Sequence, residues 1–482
     1  HATGYSRNYD SEARVYAPKV AEIGVGCEAC HGPGAAHLDW AETWEAEGTE
    51  AADAGIWPGM AAAGFSQGFA ADDPEAEIQQ CAACHSRREA FFDGNPLPGS
   101  NYHDTYALSL LRDGLYHADG TILDEVYVTG SFLQSRMYAE GVRCSDCHDP
   151  HRAALRVEGN ATCTQCHNPE GNDRFPTIVK AEYDAATHHF HDEGSAGAEC
   201  SACHMTERVY MGNDLRSDHS FRIPRPDLVA GTGAPDTCTD CHTDRDASWA
   251  AAAIEEWYPD SDNRGPHHVT SFAAARVAPM GQVGALMDLA SDVEAAGIVR
   301  ASALELMVPV ADPAIAAQAA SLLGDPDPLV RAAAAALQRG VPGAARMAAL
   351  EGALDDPVRN VRVAAVRALI DVPEAGAEPL VQAAMDEWRG ALAVNADFPE
   401  THLIIGGIGL TSRNFGLAAQ AFREAVTLDP QLLDGWRMVV RIAAATGDAP
   451  GAIAALEEAE AANPGSLVLE DLRAELGLPS AR

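Results

Sequence analysis

"CEACHGPGAAH", residues 27–37, sets two cysteines three positions apart with a histidine immediately after the second. The same frame recurs as CAACH at 81–85, CSDCH at 144–148, CTQCH at 163–167, CSACH at 200–204 and CTDCH at 238–242. These six pairs use all 12 cysteines of the 482-residue chain. CxxCH is the attachment signature of c-type haem: two thiols add to the haem vinyls and the adjacent imidazole binds the iron. Two intervening residues let both sulfurs reach one porphyrin edge, and the next residue places an imidazole beneath the metal. At these Cys and His frequencies chance supplies on the order of 0.01 such matches, so six decide the reading.

Three other chemistries fit less well. A zinc ribbon needs two CxxC pairs per metal and has no role for a trailing histidine. Thioredoxin-like redox motifs occur singly within βαβ units. Structural disulfides would not choose one two-residue spacing six times. Six covalent haems are therefore expected, held by Cys27, Cys30, Cys81, Cys84, Cys144, Cys147, Cys163, Cys166, Cys200, Cys203, Cys238 and Cys241, with His31, His85, His148, His167, His204 and His242 as proximal ligands.

Twelve further histidines remain, and eleven of them precede residue 270. Those expected as distal ligands are His37, His117, His151, His188, His189, His191, His219 and His267, which makes His/His coordination and low potentials the expectation at most or all irons. His151 follows its own motif so closely that it is expected to face a neighbouring haem. His103, in "NPLPGSNYHD", reads as a solvated loop histidine, and His402 as a surface or groove residue.

The bulk numbers bound the rest. A formal net charge of −38 argues against nucleic acid as a partner and suits a large, soluble, exposed protein. Only Lys19 and Lys180 are lysines; the other cations are arginines, the better bidentate partners for haem propionates. No run approaches the roughly 20 apolar residues of a membrane span. Covalent haem attachment implies export, so a periplasmic or extracellular location is expected, with no signal peptide preceding His1.

Composition divides the chain. Residues 1–262, rich in Gly, Pro, Asn and Asp turns, read as short helices and loops packed around haems, because no large side-chain core is available there. Beyond lies an all-α region. "VRASALEL", "VRAAAAAL" and "VRVAAVRAL" begin at Val299, Val330 and Val361, a period of 31, which predicts HEAT-like repeats over 263–377. Asn395, Asp429 and Asn463 are spaced by 34, which predicts tetratricopeptide-like repeats over 378–482.

With these features assembled, the chain resembles a family of multihaem c-type cytochromes related to the tetrahaem electron carrier of nitrifying bacteria. The resemblance is carried by "VGCEACHGPGAAHLDWA", "LYHADGTILDEVYVTGSFLQSRMYAEGVRCSDCHDPH", "HHFHDEGSAGAECSACHM" and "YMGNDLRSDHSFRIPRPDL", which together cover most of residues 1–270. In that family the run resembling "HATGYSRNYD" follows a CxxC, so His1 looks like the end of a seventh motif. Either the chain is a fragment, the preferred reading, or processing left His1 as a free distal ligand.

The function expected is electron transfer without catalysis, the repeats docking a redox protein or further copies of the chain, in one version as a conductive filament. The competing class is an enzyme acting on a nitrogen or sulfur oxyanion at a five-coordinate haem. All six motifs end in His, so none is marked as catalytic.

Overall fold

The computed structural model describes residues 2–70 and 72–478; His1, the candidate end of a seventh motif, lies outside the described residues. The fold is mostly helical, with short two-stranded antiparallel ladders. Among the described residues no helix is long and apolar enough to cross a membrane.

Two compact units form, and neither is a continuous stretch of chain. One joins Gly26–Glu89 to Pro96–Pro342 and contains all six CxxCH motifs. The change of composition near residue 262 is therefore not a break between packed units. Buried polar groups span it: the Leu111 N–H donates to Ser302 Oγ at 3.0 Å, and Arg276 Nη2 donates to the carbonyls of Tyr116 at 3.0 Å and Leu111 at 3.2 Å. Tyr116, Phe272, Ile298, Leu304 and Met307 are fully buried in this unit. Separating the two sides would strand donors and acceptors away from water, which is costly.

Its later helices start where aspartate and proline coincide. Asp312 precedes the helix Pro313–Ala319 and Asp327 the helix Pro328–Leu337, each carboxylate accepting a backbone N–H of the first turn. Proline suits the first helical position because its missing N–H would have no partner there. Arg300, on the helix Gly297–Met307, is buried beside Asp325 and also donates from Nε to the Ala290 carbonyl at 3.0 Å.

The other unit joins His1–Val25, Ala90–Asn95 and Gly343–Arg482. Its N-terminal part folds into two small ladders, Ala2–Thr3 with Glu22–Ile23 and Tyr9–Asp10 with Val15–Tyr16. Asp93 accepts hydrogen bonds from Ser6 Oγ and from the Arg7 and Asn8 N–H groups at 2.7–2.9 Å. Arg7 pairs with Asp397 at 2.5 Å and donates to the Val394 carbonyl at 2.7 Å. The helices Phe415–Leu428, Leu433–Ala445, Ala449–Ala462 and Leu467–Glu475 share a core that includes Phe422, Trp436, Val440, Leu456 and Leu472. Gly409, on the helix Pro399–Thr411, permits a close approach of the next helix, since a Cβ would lie 2.6 Å from the Ala418 nitrogen.

The 31-residue spacing has a counterpart in hydrogen bonding at two positions. Arg331 Nη1 donates to the carbonyls of Asp325 and Pro326 at 2.8 and 3.0 Å; Arg362 Nη1 does the same to Asp356 and Pro357 at 2.7 and 3.0 Å. Asn395 and Asn463 each donate from Nδ2 to the carbonyl four residues back, at 2.8 and 3.0 Å.

Candidate cofactor site

Each CxxCH sits on about one turn of helix. The N–H groups of His31, His85, His167 and His242 donate to the carbonyl of their motif's first cysteine at 2.9–3.0 Å; the His148 N–H reaches Cys144, and the fifth motif is itself the helix Cys200–His204. On one helical turn, positions i, i+3 and i+4 share a face. Both thiols and the imidazole of a motif are thereby directed to one side, and all 12 cysteines are free.

Four motif histidines lie opposite another imidazole at nearly constant spacing. Ring centroids are 6.2 Å apart for His31 and His151, 6.3 Å for His148 and His219, 6.3 Å for His204 and His188, and 6.1 Å for His242 and His191. Two imidazoles on opposite sides of one metal, each bonded at about 2 Å, hold their centroids about 6 Å apart. The gap therefore fits one iron.

The far side of several rings is tied down in the manner of a metal ligand. Nδ1 of His204 lies 2.7 Å from the Arg222 carbonyl, that of His219 3.0 Å from the Ser217 carbonyl, and that of His191 2.5 Å from the His189 carbonyl. Anchoring Nδ1 leaves Nε2 for the metal and fixes the ring. Burial holds His85, His148, His167, His188, His204 and His219 below the usual imidazole range, favouring the neutral form that binds iron. Beside the fourth motif, Arg143, Arg156 and Arg174 line a 210 Å³ cavity with Cys166, a guanidinium cluster suited to paired carboxylates.

The remaining candidates are distributed differently. Among the described residues, His85 and His167 have no histidine at the paired spacing; His167 instead meets the edge of Tyr183 at 5.9 Å. His37 stacks on Phe65 at 4.0 Å with Nδ1 2.8 Å from the Ala63 carbonyl, an approach allowed by Gly64, where a Cβ would lie 2.5 Å from the Ala36 oxygen. His117 closes a turn, its N–H donating to the Thr121 carbonyl at 2.9 Å. His189 lines a 390 Å³ cavity with Asn160, Asp184 and Glu193. His267 stacks on His268 at 4.2 Å, and burial lowers it to about 4.

One expectation is corrected. His103 is not a solvated loop residue: it lies on the helical turn Tyr102–Thr105 with Nδ1 buried and lacking a partner, and burial lowers it to about 4. The segment reads as a loop because of "NPLPGSN", but Asn101 caps the turn by accepting the His103 N–H, a signal the sequence did offer. His402 has Nε2 2.9 Å from the Ala396 carbonyl.

Residues 137–172, which contain the third and fourth CxxCH, match the family model for the doubled CXXCH motif. The chain carries the attachment motif of c-type haem. No curated protein matches it. The crystal structure of the outer cell wall cytochrome OcwA is similar at 18% identity and a TM-score of 0.37, over 70% of this chain and 74% of that one.

Proposed function

We propose that this is an electron-transfer protein that binds haem c at all six motifs, mainly through paired histidines, in the periplasm or extracellular space. The observation that carries the reading is the set of four imidazole pairs spaced 6.1–6.3 Å at His31, His148, His204 and His242. When bound, the haems supply reversible one-electron exchange at iron. The cysteine pair of each motif would hold a macrocycle, backbone carbonyls orient the imidazoles of His204, His219 and His191, and the facing pairs at His31, His148, His204 and His242 would hold an iron from two sides and keep water from it. His37, His117, His189 and His267 remain candidates for the irons of His85 and His167. The location rests on covalent attachment, which takes place outside the cytosol.

The helices after residue 263 are read as stacked repeats, HEAT-like to 377 and tetratricopeptide-like beyond, offering a concave surface to a redox protein or to further copies of the chain. A filament in which haems of successive copies approach one another is the extended form of this reading. It is tested by electron microscopy of purified holoprotein across a concentration series, with isolated particles at every concentration as the result against it.

A second reading draws on the two unpaired motif histidines. An iron held by His85 or His167 alone would keep an open position, and Arg88 and Arg216 act electrostatically on His85. That is the arrangement an enzyme for a nitrogen or sulfur oxyanion would use. Absorbance spectroscopy and cyanide binding separate the two: electron transfer predicts low-spin spectra and no rapid binding, whereas a high-spin band with fast cyanide uptake assigns catalysis.

A further inference from the structure

Successive motifs are fastened to one another by hydrogen bonds, one link for each consecutive pair. Gln80, just before Cys81, donates to the Ala29 carbonyl inside the first motif at 3.0 Å. Ser145 of the third motif donates from N and Oγ to Glu77, one turn before the second, at 2.7 and 2.8 Å. Gln165 of the fourth donates to the Asp146 carbonyl of the third at 3.2 Å. Asn160, one position before the helical turn of the fourth, accepts the Cys200 N–H of the fifth at 2.9 Å. Thr237, just before the sixth, donates to the Ala202 carbonyl of the fifth at 2.5 Å.

The thiols follow the same order: cysteines of consecutive motifs act on one another electrostatically, Cys30 with Cys84, Cys81 with Cys144, Cys147 with Cys166, Cys163 with Cys200 and Cys203 with Cys241. Cys30 also acts on Cys81, Cys147 on Cys163 and Cys203 on Cys238, so the thiols of each inner motif interact with the motif on either side of it in sequence.

We infer that the six motifs form a single unbranched file in sequence order, so that an electron travels from the Cys27–His31 end to the Cys238–His242 end, or back, through every motif in turn. The inference rests on the haem reading above and adds the order of the sites and the two termini at which partners exchange electrons. Each step oxidises one ferrous iron and reduces the next ferric one, with no bond formed and no proton moved. A reduced redox protein supplies the electron at one end, and an oxidised one accepts it at the other.

The test is the set of iron–iron distances in the full holoprotein, measured by crystallography or electron cryomicroscopy. Each iron is expected to have the irons of adjacent motifs as its nearest neighbours, with the first and sixth farthest apart. A nearest neighbour from a non-adjacent motif overturns the order while leaving haem binding intact; colourless protein overturns the haem reading itself. A second measurement uses His219→Met, with paramagnetic NMR signals assigned to each haem. The largest secondary shifts in potential are expected at the second and fourth motifs. Larger shifts at the first or sixth refute the file.

Discussion

His31, in the first CxxCH motif, and His151, three residues beyond the third, lie with ring centroids 6.2 Å apart and planes within 6° of parallel. The imidazole facing a motif thus comes from a distant part of the chain. The same is true of His148 and His219, which the chain separates by two further motifs. An iron held by such a pair would cross-link the two segments and make metal binding and folding mutually dependent there.

Replacing His219 by Met is expected to raise the potential of a single haem while leaving the number bound unchanged, because thioether coordination favours ferrous iron. Spectroelectrochemical titration would resolve this as one component moving upward. His402→Met, far from every motif in sequence, leaves the titration curve where it was. Equal curves for both variants would remove His219 from the axial positions.

Mass spectrometry of denatured protein is expected to give six covalent haem adducts. Cys163→Ala with Cys166→Ala is expected to give five, with iron content falling in step. An unchanged adduct mass in that variant would mean that the fourth motif carries no haem.

The Arg300–Asp325 pair is buried on both sides. Arg300→Met leaves a carboxylate in the interior without its partner and is expected to cost about 3–5 kcal/mol in denaturant unfolding. Adding Asp325→Leu is expected to recover much of that loss, since a buried pair replaced as a whole removes its own desolvation penalty. A double variant no better than the single one would show that Asp325 is not the strained group.

Arg7→Ala removes the charged partner of Asp397, which also accepts from the Tyr16 hydroxyl at 3.2 Å, and a donor to the Val394 carbonyl. The expected loss is about 1–3 kcal/mol. It should be read most directly as faster hydrogen exchange over residues 2–25. Unaltered exchange there would mean that the ladders hold without this contact.

Burial alone would raise the Asp93 carboxyl, yet hydrogen bonds from Ser6, Arg7 and Asn8 hold it below the ordinary carboxylate range. A depressed carboxylate contributes stability that is present above its unfolded pKa of about 4 and lost as pH falls through the folded value. Proteolysis at residues 2–25 should therefore accelerate in acid below about pH 4, and Asp93→Asn should flatten that dependence. An identical acid profile in the two proteins would assign the transition to another group.

The attachment chemistry was legible in the sequence because it is local: cysteine, two residues, cysteine and histidine fall on one helical turn, whatever surrounds them. The helix starts after residue 297 were legible for a similar reason, since Asp–Pro caps are local signals, as at Asp312 and Asp327, and the 31-residue spacing recurs as equivalent hydrogen bonds at Arg331 and Arg362. What only the tertiary structure decided was partnership. Which histidine faces which motif, that His103 is enclosed, that Ala2–Val25 pack in one unit with Gly343–Leu478, and that each motif is hydrogen-bonded to the next all depend on contacts between residues far apart in the chain. Spacing along a polypeptide fixes direction over a few residues, whereas the meeting of distant side chains is set by how whole segments bury their surfaces.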